Sequence, residues 1–411
     1  MYKNLDVVFL GGMFPHETEA EIIKYSIGSI QNAANNLQWE IVNGLDSNLD
    51  KPVKIFNSLY IGSFPKRYKK IIIDTYEFSH TDCYSENSRD INVGFVNFSG
   101  FKNFSRYFSL KPYVKEWALA KNNKKKIIIA YAMTSTFTSL LQYVKKLNSD
   151  VITCLVVPDL PKYMNLLNSK DKIYTSLKSI EMKIINLNMK YIDRYVLLTK
   201  YMEQALNIKT TSVVVEGIST NLFEHINPIP QNEGIKTILY SGGLNEKYGV
   251  VNLVNSFEKL EQDNLRLVIC GSGEAEEIIR KACLRDKRII FRGLLKREEV
   301  LQLQKSSTLL VNPRPNNDEY TRYSFPSKIM EYMSSGTPVI AYKLDGIPDE
   351  YDKYIHYFIG SEPGDIASKI NEVLEKTEEE RQAFGESARK FVINNKNNVA
   401  QAHKILKMLV E

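Results

Sequence analysis

One short stretch of the chain, YSFPSKIMEYMSSGTPVIA, brings hydroxyls, an ammonium and a carboxylate together. On a helix that advances about 100° per residue, Ser324, Ser327, Lys328 and Glu331 share one face, because their spacing is i, i+3, i+4 and i+7. A diphosphate at the helix start would meet free backbone N–H groups, the hydroxyl of Ser327 and the ammonium of Lys328. Glu331 lies about 4.5 Å further along the axis, where its carboxylate could accept hydrogen bonds from a ribose diol. The stretch therefore predicts a nucleoside diphosphate site.

The same spacing permits a simpler interpretation, in which Lys328 and Glu331 form an ion pair on a solvated helix face. The helix should end at Gly336, after which the chain continues as a strand. Ligands of open parallel sheets bind beyond the carboxyl ends of the strands. The strands and loops around this helix therefore help to decide between a nucleoside diphosphate site and a solvated ion pair.

Short apolar segments alternate with helical segments along the whole chain. The predicted strands are DVVFLGG, WEIVNG, KKIIID, INVGFVNF, KKKIIIAYA, VITCLVVPD and RYVLLT in the first half, and KTILYSGG, LRLVICGSG, RIIFRG, TLLVNPRP and TPVIAYKLDG in the second. Continuous apolar strands separated by helices are typical of parallel sheets that are covered on both faces. The pattern predicts an α/β protein with two doubly wound, Rossmann-like domains.

The chain is too long for one hydrophobic core, since it has 411 residues. Proline and glycine interrupt the strand and helix rhythm between Gly217 and Gly234. We therefore place one domain at residues 1–215, a second at 216–395 and a final helix at 396–411.

The sequence indicates a cytoplasmic protein. No apolar run has the length of a membrane span, and the opening MYKNLDVVFLGGMFP enters a strand without the pattern of a signal peptide. The four cysteines, Cys83, Cys154, Cys270 and Cys283, form no C-x-x-C pair, so we expect reduced and mostly buried thiols.

Charge is unevenly distributed between the two halves. Residues 1–215 carry 28 Lys and Arg against 19 Asp and Glu, whereas the rest carries 26 against 29. A basic first domain suggests an anionic partner: a membrane surface, a phosphorylated substrate or a nucleic acid.

Four loops of the second half should lie at the carboxyl edge of its sheet: SGGLNEKYG, CGSGEAEE, RGLLKREE and NPRPNNDEYTRYS. Their glycines allow close approach of a ligand, although tight turns after strands require glycine in any case. The candidate donor-binding residues are Gly242, Gly243, Lys247, Gly271, Gly273, Leu294, Arg314, Arg322, Ser327, Lys328 and Glu331.

The sequence resembles the retaining glycosyltransferases of family 4, which have the GT-B fold. The resemblance is strongest in ILYSGGLNEKYGVVNLVNSFEKL, LVICGSG, IIFRGLL and FPSKIMEYMSSGTPVIAYKLDGIPDEY, and the F-P-S-K form is similar to capsular and exopolysaccharide enzymes. It implies two domains that face each other across a cleft, a last helix that crosses back to the first domain, and binding of the donor ribose by Glu331.

In the first half, FLGGMFP, VVPDLP and DRYVLLTKYM resemble the family's glycine loop, acceptor-side loop and last Rossmann strand. We assign Gly11, Gly12, His16 and Tyr131 to the acceptor side, with His16 as the weaker candidate. Asp159 could orient the acceptor hydroxyl or the donor sugar, or it could cap a turn before Pro161.

Three positions depart from the family pattern. Tyr323 stands where the family has a first glutamate, so the carboxylate to the donor sugar is either missing or supplied by Asp318 or Glu319. Gly243 and Tyr248 replace the arginine and lysine that bind the diphosphate. Lys328 would then take over one of these roles, with Arg314 or Arg322 as helpers.

The resemblance implies transfer of a sugar with retention of its anomeric configuration, from a nucleotide sugar, expected to be a UDP-sugar, to a saccharide or polyprenyl-diphosphate-linked acceptor. We assign Lys328, Asp159 and Glu319 to catalysis. The sequence has no D-x-D-like motif, and we expect no cofactor and no essential metal.

The segment GFKNFSRYFSLKPYVKEWALAKNNKKK interleaves aromatic and basic residues, and FPKRYKK adds a second basic cluster. This composition suits peripheral contact with an anionic membrane at its inner face. Alternatively, the rings fill the core beneath a surface helix. Single-stranded nucleic acid could use such a surface, but no RNA-binding motif accompanies it, so we expect no nucleic acid partner.

Two other functions fit the same fold. A sugar-nucleotide epimerase of GT-B type would need its own acid and base residues and no acceptor. A sugar-nucleotide binding protein without catalysis usually works outside the cytoplasm and would need an export signal.

Overall fold

The computed structural model describes residues 1–28, 30–81, 90–160, 172–230, 234–317 and 319–411. Its strands are β1 (Leu5–Gly11), β2 (Lys54–Asn57), β3 (Ile72–Ile73), β4 (Tyr76–Phe78), β5 (Asp90–Asn92), β6 (Phe95–Val96), β7 (Lys125–Tyr131), β8 (Ile152–Val157), β9 (Arg194–Leu197), β10 (Thr211–Val214), β11 (Lys236–Ser241), β12 (Leu265–Cys270), β13 (Ile289–Gly293), β14 (Leu309–Asn312), β15 (Val339–Ala341) and β16 (His356–Tyr357).

Helices follow most of these strands. They are α1 (Glu19–Tyr25), α2 (Asn32–Asn48), α3 (Lys102–Leu119), α4 (Ser135–Leu147), α5 (Lys172–Asn188), α6 (Tyr201–Ala205), α7 (Val250–Phe257), α8 (Glu276–Arg285), α9 (Arg297–Ser306), α10 (Ser327–Ser334), α11 (Pro363–Glu375), α12 (Glu378–Asn395) and α13 (Asn398–Val410).

The chain divides into unit 1, Met1–Ile218 with Asn398–Glu411, and unit 2, Ser219–Asn397. The last helix, α13, packs on α2 of unit 1. Gly44 makes this close packing possible, because a Cβ at this position would lie 2.2 Å from the carbonyl oxygen of Asn398. Each unit has its own sheet and core.

The larger sheet, in unit 1, has the order β10-β9-β8-β7-β1-β2-β5-β4. Its neighbours are parallel except for β4 and β5, and its central strands are almost fully buried. The strand order reverses between β1 and β7. The loops that follow these two strands therefore border a crevice of the kind in which α/β proteins bind ligands.

The sheet of unit 2 has the order β13-β12-β11-β14-β15-β16 and is parallel throughout. Its order reverses between β11 and β14, which places the loops after these strands at a second switch point. The predicted α/β class with doubly wound parallel sheets is confirmed.

Two local predictions are wrong. WEIVNG is part of α2 and not a strand, because Trp39, Ile41, Val42 and Leu45 bury one helical stripe in the core of unit 1. The candidate site helix begins only at Ser327, after Pro326, so Ser324 lies outside it.

No helix in the described ranges is both long and apolar enough to cross a membrane. Cys154 and Cys270 are buried free thiols and Cys283 is a half-buried one. Cys83 lies outside the described residues.

Candidate functional site

A cavity of about 190 Å³ lies at the switch point of unit 2. It is bounded by the end of β11 and its loop, by the end of β14 and by the first turn of α10. Its lining residues are Tyr240, Ser241, Gly242, Gly243, Tyr248, Asn312, Arg314, Pro326, Ser327 and Lys328. This lining brings together five of the predicted donor-binding residues, and it contains two cations and no carboxylate.

The loop after β11 forms one wall of the cavity. The Tyr240 hydroxyl donates a hydrogen bond to the Gly243 carbonyl oxygen at 2.7 Å, and burial raises its pKa, so the hydroxyl stays protonated. Gly249 adopts φ 79°, and a Cβ there would lie 2.0 Å from the Pro313 carbonyl oxygen. Glycine therefore allows this loop to approach the residues after β14.

Arg314 is held by aromatic side chains. Its guanidinium lies 4.9 Å from the ring centroid of Tyr320 and 5.7 Å from that of Tyr248. One nitrogen, Nη2, lies 3.5 Å from the Ser324 hydroxyl, and Nε is buried without a hydrogen-bond partner. Within the described ranges no carboxylate pairs with Arg314, so its positive charge is available to an anion.

Lys328 and Glu331 form the ion pair that the simpler interpretation expects, with 2.9 Å between Nζ and Oε1. The pair is partly buried, however: the lysine side chain is 35% exposed and the glutamate side chain 16%. Lys328 also lines the cavity, one turn from Glu331 along α10. The pair therefore lies at the edge of the cavity and not on an open helix face.

A buried hydrogen-bond network extends from this pair to β11. Gln304 on α9 donates from Nε2 to Glu331 Oε1 at 2.7 Å and to Ser241 Oγ at 3.0 Å. The Tyr332 hydroxyl accepts from the Ser241 N–H at 2.9 Å and donates to the Ser241 carbonyl at 3.1 Å. Neither Gln304 nor Ser241 is among the sequence candidates. No local spacing connects Gln304 to α10, and Ser241 is part of the loop SGGLNEKYG without being distinguished in it.

Gly271 and Gly273 serve loop packing. A Cβ on Gly271 would lie 1.8 Å from the Gly242 carbonyl oxygen, and one on Gly273 would lie 2.7 Å from Leu244 backbone atoms. Both have positive φ, 140° and 156°. The two glycines position the Gly242 loop without lining the cavity themselves.

Four other predicted residues lie off the cavity lining. Lys247 is exposed, with its ammonium 5.5 Å from the Tyr248 ring centroid, and Leu294 is 76% exposed. Arg322 pairs with Asp345 at 2.9 Å. Glu319 is exposed at the start of a 3₁₀ helix, whereas Asp318 lies outside the described residues.

In unit 1, Gly11 is the last residue of β1 at the switch point, and Gly12 follows it. A Cβ on Gly12 would lie 2.3 Å from the Tyr60 ring, and one on Gly11 would lie 2.9 Å from Gln38 Oε1. Gln38 Oε1 also accepts a hydrogen bond from the Gly12 N–H at 2.8 Å. Gly12 is thus required by the close approach of the Tyr60 ring, whereas a Cβ on Gly11 would meet only side-chain ends.

The remaining acceptor-side candidates lie around the same crevice. His16 stacks on Trp39 with 4.9 Å between ring centroids. Tyr131, at the end of β7, is buried and its carbonyl accepts from the Tyr60 hydroxyl at 2.6 Å. Asp159 follows β8, and desolvation raises the pKa of its carboxyl. Pro161 lies outside the described residues, so the alternative role of Asp159 as a turn cap stays a prediction.

Among the residues with described positions, no cluster of three or more His, Cys, Asp or Glu is arranged to hold a metal ion.

Residues 223–391 match the family model described as Glycosyl transferases group 1. An uncharacterized glycosyltransferase of Methanocaldococcus jannaschii is 26% identical over 145 residues, which span 34% of this chain and 36% of that protein. The chain thus aligns with only about a third of this curated relative. The family match contains all the cavity residues.

Solved structures of similar fold cover nearly the whole chain. Sucrose-phosphate synthase from Thermosynechococcus elongatus has a TM-score of 0.60 at 14% identity and covers 98% of both chains. A lipopolysaccharide outer core galactosyltransferase has a TM-score of 0.60 at 13% identity, covering 98% of this chain and 99% of that one. A structure from E. coli described as trehalose-6-phosphate bound with UDP-2-fluoro glucose has a TM-score of 0.59 at 10% identity. It covers 98% of this chain and 99% of that one. The chain has the GT-B fold of these enzymes.

Proposed function

We propose that this chain is a retaining glycosyltransferase. It would transfer a sugar from a nucleotide sugar, with a UDP-sugar as the first candidate, to a saccharide or lipid-linked saccharide during synthesis of a capsule or exopolysaccharide. The observation that carries this proposal is the cationic cavity at the switch point of unit 2, within the region that matches the glycosyltransferase family.

The size and lining of the cavity suit the diphosphate part of a donor. Its volume of about 190 Å³ is below the ~300–1,000 Å³ of pockets that enclose whole drug-sized ligands. The loop glycines, the hydroxyl of Ser327 and the cations Arg314 and Lys328 provide N–H, O–H and charged donors for phosphate oxygens. Glu331 would accept from the ribose, one helical turn away.

Arg314 can replace the cations that the family pattern places at Gly243 and Tyr248. Its guanidinium lies over the Tyr248 ring, so the aromatic residue at the expected lysine position supports an arginine from another loop. We therefore favour Arg314 over Arg322, which is already paired with Asp345.

The proposed reaction needs little covalent participation by the protein. The acceptor oxygen would bond to the anomeric carbon as the bond from that carbon to the β-phosphate oxygen breaks. Negative charge would accumulate on the departing diphosphate, whose oxygen would take up the proton of the acceptor hydroxyl. Lys328 and Arg314 would stabilise this charge, and Asp159 and Glu319 are the candidates for orienting the acceptor hydroxyl and donor sugar. The proposal requires no metal or other cofactor.

Contact with an anionic membrane is the proposed route to a lipid-linked acceptor, which would place the protein at the inner face of the cell membrane. Residues Phe101, Phe104 and Phe108 lie at i, i+3 and i+7 and are 45–56% exposed. Leu177, Ile180 and Ile184 repeat this spacing on α5. We name these six residues the α3–α5 apolar face.

A hydrogen bond outside this face connects the two helices. Asn103 donates to Glu181 at 3.0 Å, and the Lys111 ammonium lies 5.8 Å from the Phe108 ring centroid. Trp117, in contrast, is buried and donates to Asp6 at 2.9 Å. The aromatic segment is thus divided between core and surface, and exposed rings beside lysines suit the headgroup region of an anionic leaflet.

A panel of UDP-, GDP- and dTDP-sugars tests the function. Transfer to a saccharide, or slow hydrolysis of one donor, is the expected result. An isomerised nucleotide sugar would instead identify an epimerase, and binding without any turnover would identify a non-catalytic binding protein.

A further inference from the structure

We infer that Gln304 is a positioning residue that fixes the carboxylate of Glu331 toward the donor. The inference rests on the proposed donor site and adds to it a residue from a distant part of the sequence. Gln304 lies on α9, is fully buried and contacts both Glu331 and Ser241.

The hydrogen bonds on Glu331 are asymmetric. Lys328 Nζ and Gln304 Nε2 both donate to Oε1, at 2.9 Å and 2.7 Å. Oε2 has no donor among the residues for which the structure gives positions. Two donors on one oxygen restrain the rotation of the carboxylate, and the second oxygen stays available for a ligand hydroxyl.

The orientation of the Gln304 amide follows from the chemistry of its neighbours. A carboxylate only accepts hydrogen bonds, so the amide nitrogen must face Glu331. Its second hydrogen goes to Ser241 Oγ at 3.0 Å, and Ser241 lines the cavity directly before Gly242. One amide group therefore connects the proposed ribose ligand with the proposed diphosphate loop.

Packing alone does not explain a glutamine at this position. Its Oε1 is buried without a hydrogen-bond partner, which is unfavourable, and an apolar side chain of similar size would avoid that penalty. Its backbone is held separately, since Thr337 Oγ1 donates to the Gln304 carbonyl at 2.8 Å. The side-chain amide is thus best explained by what it does for Glu331 and Ser241.

Removal of the amide should therefore impair recognition of the ribose diol in particular. The carboxylate of Glu331 would then keep only one hydrogen-bond donor, the ammonium of Lys328, which is also a proposed phosphate ligand. Affinity for a nucleotide without the diol should change little, because that nucleotide makes no hydroxyl contact with Glu331.

The test is calorimetric titration with UDP and 2′,3′-dideoxy-UDP, and with the corresponding GDP pair. The parent should prefer the diol form by about tenfold or more. Gln304→Leu should reduce this preference at least fivefold, with less than a twofold change for the dideoxy nucleotide. Thr337→Val is the matched control: it loses the bond to the Gln304 backbone and should keep the preference.

Gln304→Glu provides a second measurement if the leucine variant does not fold. A carboxylate at this position would repel Glu331, whereas its protonated form could donate to it. The preference for the diol should therefore be absent at pH 8 and partly recover at pH 5, relative to the parent at each pH.

The outcomes separate this inference from the proposed function. If the parent binds neither UDP nor GDP, the proposed donor site is wrong. If the parent binds and discriminates, but folded Gln304→Leu discriminates equally well, Gln304 has only a structural role. A parent that binds without discriminating overturns the inference and leaves diphosphate binding intact.

Discussion

Lys328 and Glu331 are paired along one face of α10, with 2.9 Å between the ammonium nitrogen and a carboxylate oxygen. In the proposed reaction they have different tasks, since Lys328 faces a diphosphate whose charge grows and Glu331 faces a ribose that does not change. Replacement of Lys328 and replacement of Glu331 should therefore affect different kinetic parameters.

Lys328→Ala should act mainly on turnover. It removes a charge-assisted contact worth roughly 1.5–3 kcal/mol, and much of this loss should appear in kcat because the leaving diphosphate is more negative in the transition state. Glu331→Ala should chiefly raise KM and weaken nucleotide binding, by about tenfold to a hundredfold. Steady-state kinetics and calorimetry on folded variants measure both effects.

A second i, i+3 pair in unit 2 is the matched control. Lys369 and Glu372 lie 2.7 Å apart on α11, and neither lines the cavity. Lys369→Ala and Glu372→Ala should leave kcat and KM near the parental values. Near-parental kinetics in Lys328→Ala and Glu331→Ala as well would mean that their pair is only structural.

Arg314→Lys tests the proposed replacement of the missing cations. Lysine keeps the charge but lacks the planar group that lies over Tyr320 and Tyr248, so UDP should bind about tenfold more weakly. Arg322→Lys, at an arginine paired with Asp345, should have little effect. Equal losses in the two variants would argue against a specific role for Arg314.

The α3–α5 apolar face should be required for the protein to sediment together with anionic vesicles. Combined Phe104→Ser and Phe108→Ser changes remove two exposed rings and should release most of the protein from vesicles containing phosphatidylserine. Leu284→Ser is the control, because Leu284 is 74% exposed on α8 of unit 2. If the double variant sediments like the parent, this face is not the membrane contact.

His80 should make stability depend on pH. Burial lowers its pKa, but hydrogen bonds from its ring to Asp46 at 2.8 Å and Asp90 at 2.5 Å outweigh burial and raise the pKa to about 9. The protonated ring thus stabilises the folded state fully below its unfolded pKa near 6.5, and this contribution, about 3 kcal/mol, is lost as pH rises through 9.

Urea unfolding of the parent and His80→Asn at pH 6, 7.5 and 9 measures this contribution. The difference in free energy of unfolding should be largest at pH 6 and decrease toward pH 9. If the difference in free energy of unfolding is constant over this pH range, His80 is not a protonated ring that forms two hydrogen bonds in the folded state.

Gly44→Ala should destabilise unit 1, because the new methyl group would lie 2.2 Å from the Asn398 carbonyl oxygen and force α2 and α13 apart. We expect the free energy of unfolding of unit 1 to decrease by about 1–3 kcal/mol, which calorimetry would show as a lower melting temperature of this unit. Gly364→Ala on α11 meets no atom within 4 Å and should be neutral or slightly stabilising.

The sequence predicted the architecture because apolar strands and the loops after them are local signals. The ends of β11 and β14 were recognisable, and so was α10 except for its exact first residue; these segments line the cavity. The prediction for WEIVNG was wrong because a six-residue segment rich in apolar residues is compatible both with a buried strand and with the buried stripe of a helix.

Contacts between distant segments were not predictable in this way. Gln304 precedes Glu331 by 27 residues, and only the packing of α9 beside α10 brings its amide to the carboxylate. The glycines at 271 and 273 were interpreted from their position after a strand, although their nearest neighbours belong to the loop of Gly242 and Leu244.

The two ends of unit 2 lie side by side: the Ser219 N–H donates to the Lys396 carbonyl at 2.7 Å. Unit 2 is thus an insertion between β10 and α13, and its ends are already adjacent, as in segments that can be transplanted or expressed alone. Unit 1 is different, because α2 packs on α13, and α13 is synthesised only after unit 2. During synthesis the inserted unit can therefore complete its folding before the unit that began first.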